Sequence, residues 1–275
     1  MASHPSDALE NGSNNVNKPT ILLVPGAWHS PPAYRALTDY LRQHGYTVVE
    51  IAHPSVNLHP SYTSYSAENP PPAFAADVAE VRKHILAQGS DPIVIFAHSY
   101  GSVPASSACA DLPPTTTIKH FIVSSGFPLP VGMSMLDAIP GRQPPEWWDV
   151  SEDGLTFRPA NPAHIFYNDV KDPETLQEAV AALGVHSYAC VESEGGKQRH
   201  AVWENTKCTY IVTTQDNAIS PEAQRHMVQG AQQMAREAGK GGEMSSVELF
   251  SSHSPHLSMP EELGLVIRRC AGEEL

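Results

Sequence analysis

The sequence is short of cysteine, of basic residues and of long apolar runs, and each shortage removes a class of protein. Cys109, Cys190, Cys208 and Cys270 stand without a C-x-x-C pair or a dense spacing. That argues against a disulfide framework and leaves buried free thiols as the plain reading. Only 17 Lys and Arg face 30 Asp and Glu, a formal charge of -13. Such a field repels phosphate backbones and anionic lipid, so neither nucleic acid nor a membrane surface is an expected partner. No apolar stretch reaches the length of a transmembrane helix. Residues 1–18 are polar and lack the apolar segment of a signal peptide, so they read as a disordered tail, in which the Asn11-Gly12-Ser13 sequon matters only after secretion. The closing Gly-Glu-Glu-Leu is no peroxisomal or retention address. A soluble, cytoplasmic protein is the expectation. There is no H-E-x-x-H run, and the pair His253-x-x-His256 has no third ligand nearby, so no metal and no cofactor are expected.

What is present is a chain of 275 residues, 41% hydrophobic, long enough for one sizeable α/β domain with an insertion. Apolar runs at Thr20 to Val24, Thr47 to Ala52, Ile93 to Ala97, His120 to Ser124, Thr209 to Thr213 and Val247 to Ser251 read as strands, most of them covered on both faces. Helical stripes alternate with them. Tyr34, Leu37 and Leu41 follow Ser30-Pro31, Phe74, Val78, Val81 and Ile85 follow a proline run, and further helices start at Ser220-Pro221 and near Ser258-Met259-Pro260. The alternation predicts a doubly wound, mostly parallel sheet. It breaks between Pro130 and Cys208, where Trp147, Trp148, Phe157, Phe166 and Tyr167 accompany one clear helix capped by Asp172-Pro173. We therefore expect a core of residues 19–130 and 208–275 and a small, mainly helical cap of residues 131–207 above the carboxyl ends of the strands.

The run Ile93-Val94-Ile95-Phe96-Ala97-His98-Ser99-Tyr100-Gly101 is an apolar strand ending at a serine with small residues two places either side. This is the pattern of a nucleophile elbow, with Ala97 in place of the first glycine of G-x-S-x-G. Ser124-Ser125-Gly126 runs into prolines and Ser193-Glu194-Gly195 follows no strand, so Ser99 alone has the context. A serine nucleophile needs a base and the base an orienter, both in loops past strand ends. Asp216 follows the strand ending at Thr213, and His253 follows the last strand. The order Ser99, Asp216, His253 is the order of α/β-hydrolase triads. His256, three residues on, is the rival base, and Asp216 could instead serve only as a turn residue. Ala27, after Gly26, and Tyr100 are the expected backbone donors to an oxyanion. Trp28, His29, His98, Trp147, Trp148, Phe166 and His256 are the candidate pocket lining, each with plain packing as the alternative; His98 is expected to point away from the reacting atom.

The blocks Leu23-Val24-Pro25-Gly26-Ala27-Trp28-His29, Ala97-His98-Ser99-Tyr100-Gly101, Thr214-Gln215-Asp216-Asn217-Ala218-Ile219 and His253-Ser254-Pro255-His256-Leu257-Ser258 follow one another in an order that resembles the α/β-hydrolase superfamily. More narrowly they resemble its small-cap branch of plant methyl esterases and hydroxynitrile lyases, with fungal and bacterial relatives. Pro25-Gly26 replaces the usual His-Gly of that branch. Gly26 and Ser254 stand where the lyases carry threonine and lysine, so the resemblance implies ester hydrolysis over cyanohydrin cleavage. The expected activity is that of a serine hydrolase acting on a carboxylic ester or lactone of a small, mostly apolar compound. A non-hydrolytic lyase, cyclase or isomerase using the same pocket, or a ligand receptor, are the rivals, and the choice between monomer and homodimer stays open.

Overall fold

The computed structural model describes residues 18–57, 65–192 and 194–275. The tail 1–17, the sequon within it and Ser193 lie outside the described residues. Strand β1 (Thr20–Val24) leads through helix α1 (Arg35–Gln43) to β2 (Val48–Glu50) and the two-residue β3 (Val56–Asn57). Helix α2 (Phe74–Ala87), β4 (Ile93–His98), α3 (Ser102–Ala108) and β5 (Ile118–Ser124) follow. The central region holds α4 (Met135–Ala138), β6 (Trp148–Val150), β7 (Thr156–Pro159), α5 (Pro162–Phe166), α6 (Pro173–Ala181) and β8 (Val185–Ser187). The chain closes with β9 (Lys207–Thr213), α7 (Pro221–Ala238), β10 (Glu243–Leu249), α8 (Pro255–Ser258) and α9 (Pro260–Cys270).

Six strands form the main sheet in the order β10-β9-β5-β4-β1-β2, every neighbouring pair parallel. Because side chains alternate across a strand, β1 sends Leu22 and Val24 to one face and Ile21 and Leu23 to the other, and all four are fully buried. Phe74, Val81 and Ile85 of α2 and Ala231 of α7 cover the first face. Leu37 and Leu41 of α1 and Leu263 and Ile267 of α9 cover the second. The edge strand β10 departs from the continuous apolar pattern, with Met244 its one buried residue.

The central region carries helices and also a small sheet that the sequence pattern did not announce. Strands β3-β8-β7-β6 pair antiparallel, and β3 comes from the chain before α2. A strand of the core thus completes the sheet of the cap. Asp172 caps α6 by accepting from the Thr175 amide at 2.8 Å, and Ser220 caps α7 by accepting from Ala223 at 3.2 Å. Ser30 makes no side-chain cap, since Pro31–Tyr34 is a 3₁₀ turn ahead of α1. All four cysteines are free, and burial pushes the Cys109 thiol up to about 12. Among the described residues, no helix is long and apolar enough to cross a membrane.

Candidate active site

Strand β4 delivers Ser99 to the carboxyl edge of the sheet, where it stands at φ 49°. L-residues adopt that region at a cost, and the cost is characteristic of a strained elbow that holds a hydroxyl clear of the strand. The turn closes only because its neighbours are small. A Cβ on Gly101 would come within 2.2 Å of the Pro25 carbonyl oxygen, and one on Gly26 within 3.1 Å of Ser99 Cβ. Loop 25–29 therefore lies directly against the elbow.

Past the end of β9, Asp216 is buried and accepts five hydrogen bonds. Its Oδ1 takes the Ala218 and Ile219 amides at 2.7 and 2.9 Å. Its Oδ2 takes the Thr213 hydroxyl at 2.9 Å, Gln224 Nε2 at 2.9 Å and His253 Nδ1 at 2.8 Å. A carboxylate so surrounded has one orientation, and it fixes His253 with a proton on Nδ1 and a basic lone pair on Nε2. His253 and Ser99 face the same cavity of about 450 Å³. Trp28, Trp147, Trp148 and Phe166 form its aromatic wall. Met135, Ile139, Ile219 and Met227 add aliphatic surface, Ser220 and His226 stand at it as polar groups, and among the described residues no Lys, Arg, Asp or Glu lines it.

Residues 21–263 match the profile of the alpha/beta hydrolase family. The chain belongs to that family. Two fungal relatives align almost end to end. A probable hydrolase R7 of Phoma sp. is 29% identical over 265 residues, covering 94% of this chain and all of the other. The alpha/beta hydrolase nvfD of Aspergillus novofumigatus is 27% identical over 268 residues, covering 94% and 98%. Among solved structures, polyneuridine aldehyde esterase superposes with a TM-score of 0.70 at 15% identity over 92% of this chain and 98% of its own, a likeness of fold.

Within this α/β-hydrolase frame, three histidines expected at the pocket belong elsewhere. His98 lies beneath the elbow, its Nε2 donating to the His253 carbonyl at 2.9 Å and its Nδ1 accepting from the Tyr34 hydroxyl at 2.7 Å. Tyr34 Oη in turn accepts the Gly26 amide at 2.9 Å. His29 donates through Nδ1 to the Ala27 carbonyl at 2.7 Å and accepts the Tyr167 hydroxyl at 2.9 Å. His256 stacks on Tyr34, ring centroids 4.1 Å apart. None of the three lines the cavity, because each ring is committed to the packing behind loop 25–29. Burial holds His29 down at about 4 and keeps His98 and His256 well below the usual histidine range, so all three are neutral. Of the aromatic residues of the insert, Trp147, Trp148 and Phe166 reach the cavity, whereas Phe157 packs beneath Trp28 and Tyr167 serves His29.

Sequence reasoning passed over Thr213 and Gln224, the side chains that share Asp216 Oδ2. Gln224 is fully buried on the otherwise apolar buried face of α7, and a glutamine in line with Val228, Ala231 and Ala235 was the available signal. Residues 164–169 also grip the loops that carry Asp216 and His253. Asn217 Nδ2 donates to the His164 carbonyl and Asn168 Nδ2 to that of Gln215, each at 2.9 Å, and Asp169 accepts the Ser252 amide at 2.9 Å.

Proposed function

We propose that this protein is a serine hydrolase that cleaves a carboxylic ester or lactone of a small, mostly apolar and uncharged compound through an acyl-enzyme. The observation that carries the reading is His253, oriented by Asp216 at 2.8 Å and sharing one cavity with Ser99. In the cycle, His253 Nε2 takes the Ser99 proton as Oγ attacks the carbonyl carbon. The amides of Ala27 and Tyr100 hold the oxyanion. The same imidazole returns the proton to the departing alcohol, then draws a proton from water as it adds to the acyl carbon, releasing the acid and restoring Ser99. Asp216 stabilises the imidazolium, and the cycle needs no cofactor.

Among the described residues the lining holds no Lys, Arg, Asp or Glu and only His226 besides His253 as a titratable side chain, which supports an uncharged substrate, since an ionised group buried there would lose its hydration without a ready partner. The cavity volume of about 450 Å³ suits a single small organic molecule. The test is a panel of neutral aryl esters, alkyl esters and lactones run in heavy-oxygen water. Hydrolysis places solvent oxygen in the released acid. Ser99→Ala and His253→Ala are expected to abolish turnover while the fold survives. Full turnover by Ser99→Ala, or product without solvent oxygen, would overturn the reading.

A further inference from the structure

Asp77 lies in the apolar stripe of α2, between Phe74 and Val78, and is wholly inaccessible. A carboxyl group survives in a core only where donors satisfy it. Its Oδ1 accepts the Ser55 amide at 3.0 Å. Its Oδ2 accepts the Tyr100 hydroxyl at 2.6 Å and the Ser55 hydroxyl. Ser55 Oγ accepts in turn from His186 Nε2 on β8 at 3.0 Å. His53 packs edge-on against the Tyr100 ring, centroids 5.3 Å apart, and its Nε2 donates to the Pro25 carbonyl at 2.9 Å; its Nδ1, 3.7 Å from Asp77 Oδ2, makes no hydrogen bond to it.

Two contacts of Asp77 lead to the proposed catalytic apparatus, a hydrogen bond to Tyr100 and a packing contact with His53. Tyr100 directly follows Ser99 and carries one of the proposed oxyanion amides. Pro25 stands two residues before Ala27, which carries the other. We infer that Asp77 is a positioning residue that fixes these two amides relative to each other, an inference that rests on the hydrolase reading above. Asp77 does not line the cavity and acts only through Tyr100 and through His53. Burial first, and then the Asp77 charge, raise the Tyr100 phenol well above its usual range, which keeps it a donor. The ligand atoms of Asp77, His186 and Cys190 come within 4.8 Å of one another, a spacing open to a metal. Both carboxyl oxygens are already taken by N–H and O–H donors, however, and burial pushes the Cys190 thiol up to about 12, which favours the hydrogen-bonded hub.

Asp77→Asn replaces an acceptor by a donor against the two hydroxyls. Its kcat is expected to fall about 10- to 100-fold, short of the roughly 10² to 10³ that follows outright loss of an oxyanion donor. KM should move by less than about 3-fold, because ground-state binding in the cavity is untouched. Amide hydrogen exchange on the folded protein should quicken at 26–28 and 99–101 together. Tyr100→Phe cuts the elbow thread alone. It should lower kcat less and quicken 99–101 only, and it carries the test if Asp77→Asn does not fold. The inference is overturned if the variants keep the parent's kcat and exchange. It is equally overturned if the purified protein holds stoichiometric zinc that Asp77→Asn removes. If the parent protein hydrolyses no ester while exchange responds as stated, the positioning stands and the hydrolase reading is what fails.

Discussion

Loop 25–29 separates two environments that use similar residues to opposite ends. On its cavity side, Ser99 and His253 stand among aromatic and aliphatic side chains around open space. On its other side, Tyr34, His29, His98, His256 and Tyr167 fill the interior, and both ring nitrogens of His29 and of His98 are spoken for. Ser99 and His98 are consecutive residues, yet the elbow sends them to different sides. The contrast teaches that reactivity follows from placement against open space with one nitrogen left free, and that histidine content by itself carries none of it.

The largest effect that would sharpen the contrast is on turnover. Ser99→Ala is expected to lower kcat by about 10⁶-fold with the melting temperature unchanged, as judged by ester assay and calorimetry. Asp216→Asn should cost roughly 10⁴, because the amide would favour the wrong tautomer of His253. On the opposite side, His98→Ala leaves the Tyr34 hydroxyl without its acceptor and the His253 carbonyl with only the Ser125 hydroxyl at 3.4 Å, and opens a void. A stability loss of about 2–5 kcal/mol is expected in urea denaturation, with kcat of the folded protein falling far less than in Ser99→Ala.

Acid offers a test on the same side without mutation. His29 titrates at about 4 when folded, and His98, His186 and His256 are likewise depressed by burial. Unfolded histidines bind a proton near pH 6.5. As pH falls through that value the unfolded chain takes up protons first, so this stability is complete above about 6.5 and is lost as pH falls, the His29 share by about 4. His29 alone contributes about 3 kcal/mol of that loss. Denaturant midpoints measured from pH 7 to pH 4 check it, and a flat profile would break the comparison. The smallest effect belongs to the cavity wall. Trp147→Ala should raise KM for an aryl ester by about 10-fold with kcat nearly unchanged, the worth of one aromatic contact.

The parallel sheet was legible because β1, β4, β5 and β9 are apolar runs separated by helical stripes, and β1 matches its expected span of Thr20 to Val24, whereas β10 runs Glu243–Leu249 against the expected Val247 to Ser251. That Ser99, Asp216 and His253 would stand in loops past strand ends was legible for a related reason, since each follows a segment read as a strand. The cap sheet was not, because β6, β7 and β8 are only three or four residues long and show too little alternation to read. Asp77 could have been suspected as an acidic residue inside the stripe Phe74, Val78, Val81, Ile85. Its partners Ser55, Tyr100 and His186 are brought together only by the fold. For His29, His98 and His256 the sequence pattern offered position along the chain but not the side of the loop, which depends on which rings fill the space behind it.

The most direct test of the central claim, that His253 makes Ser99 nucleophilic, is labelling of the folded protein with a fluorophosphonate followed by peptide mapping. The account predicts a single adduct on Ser99 that is lost in His253→Ala. An unlabelled Ser99 in the folded parent protein, or labelling that is indifferent to His253, would contradict it.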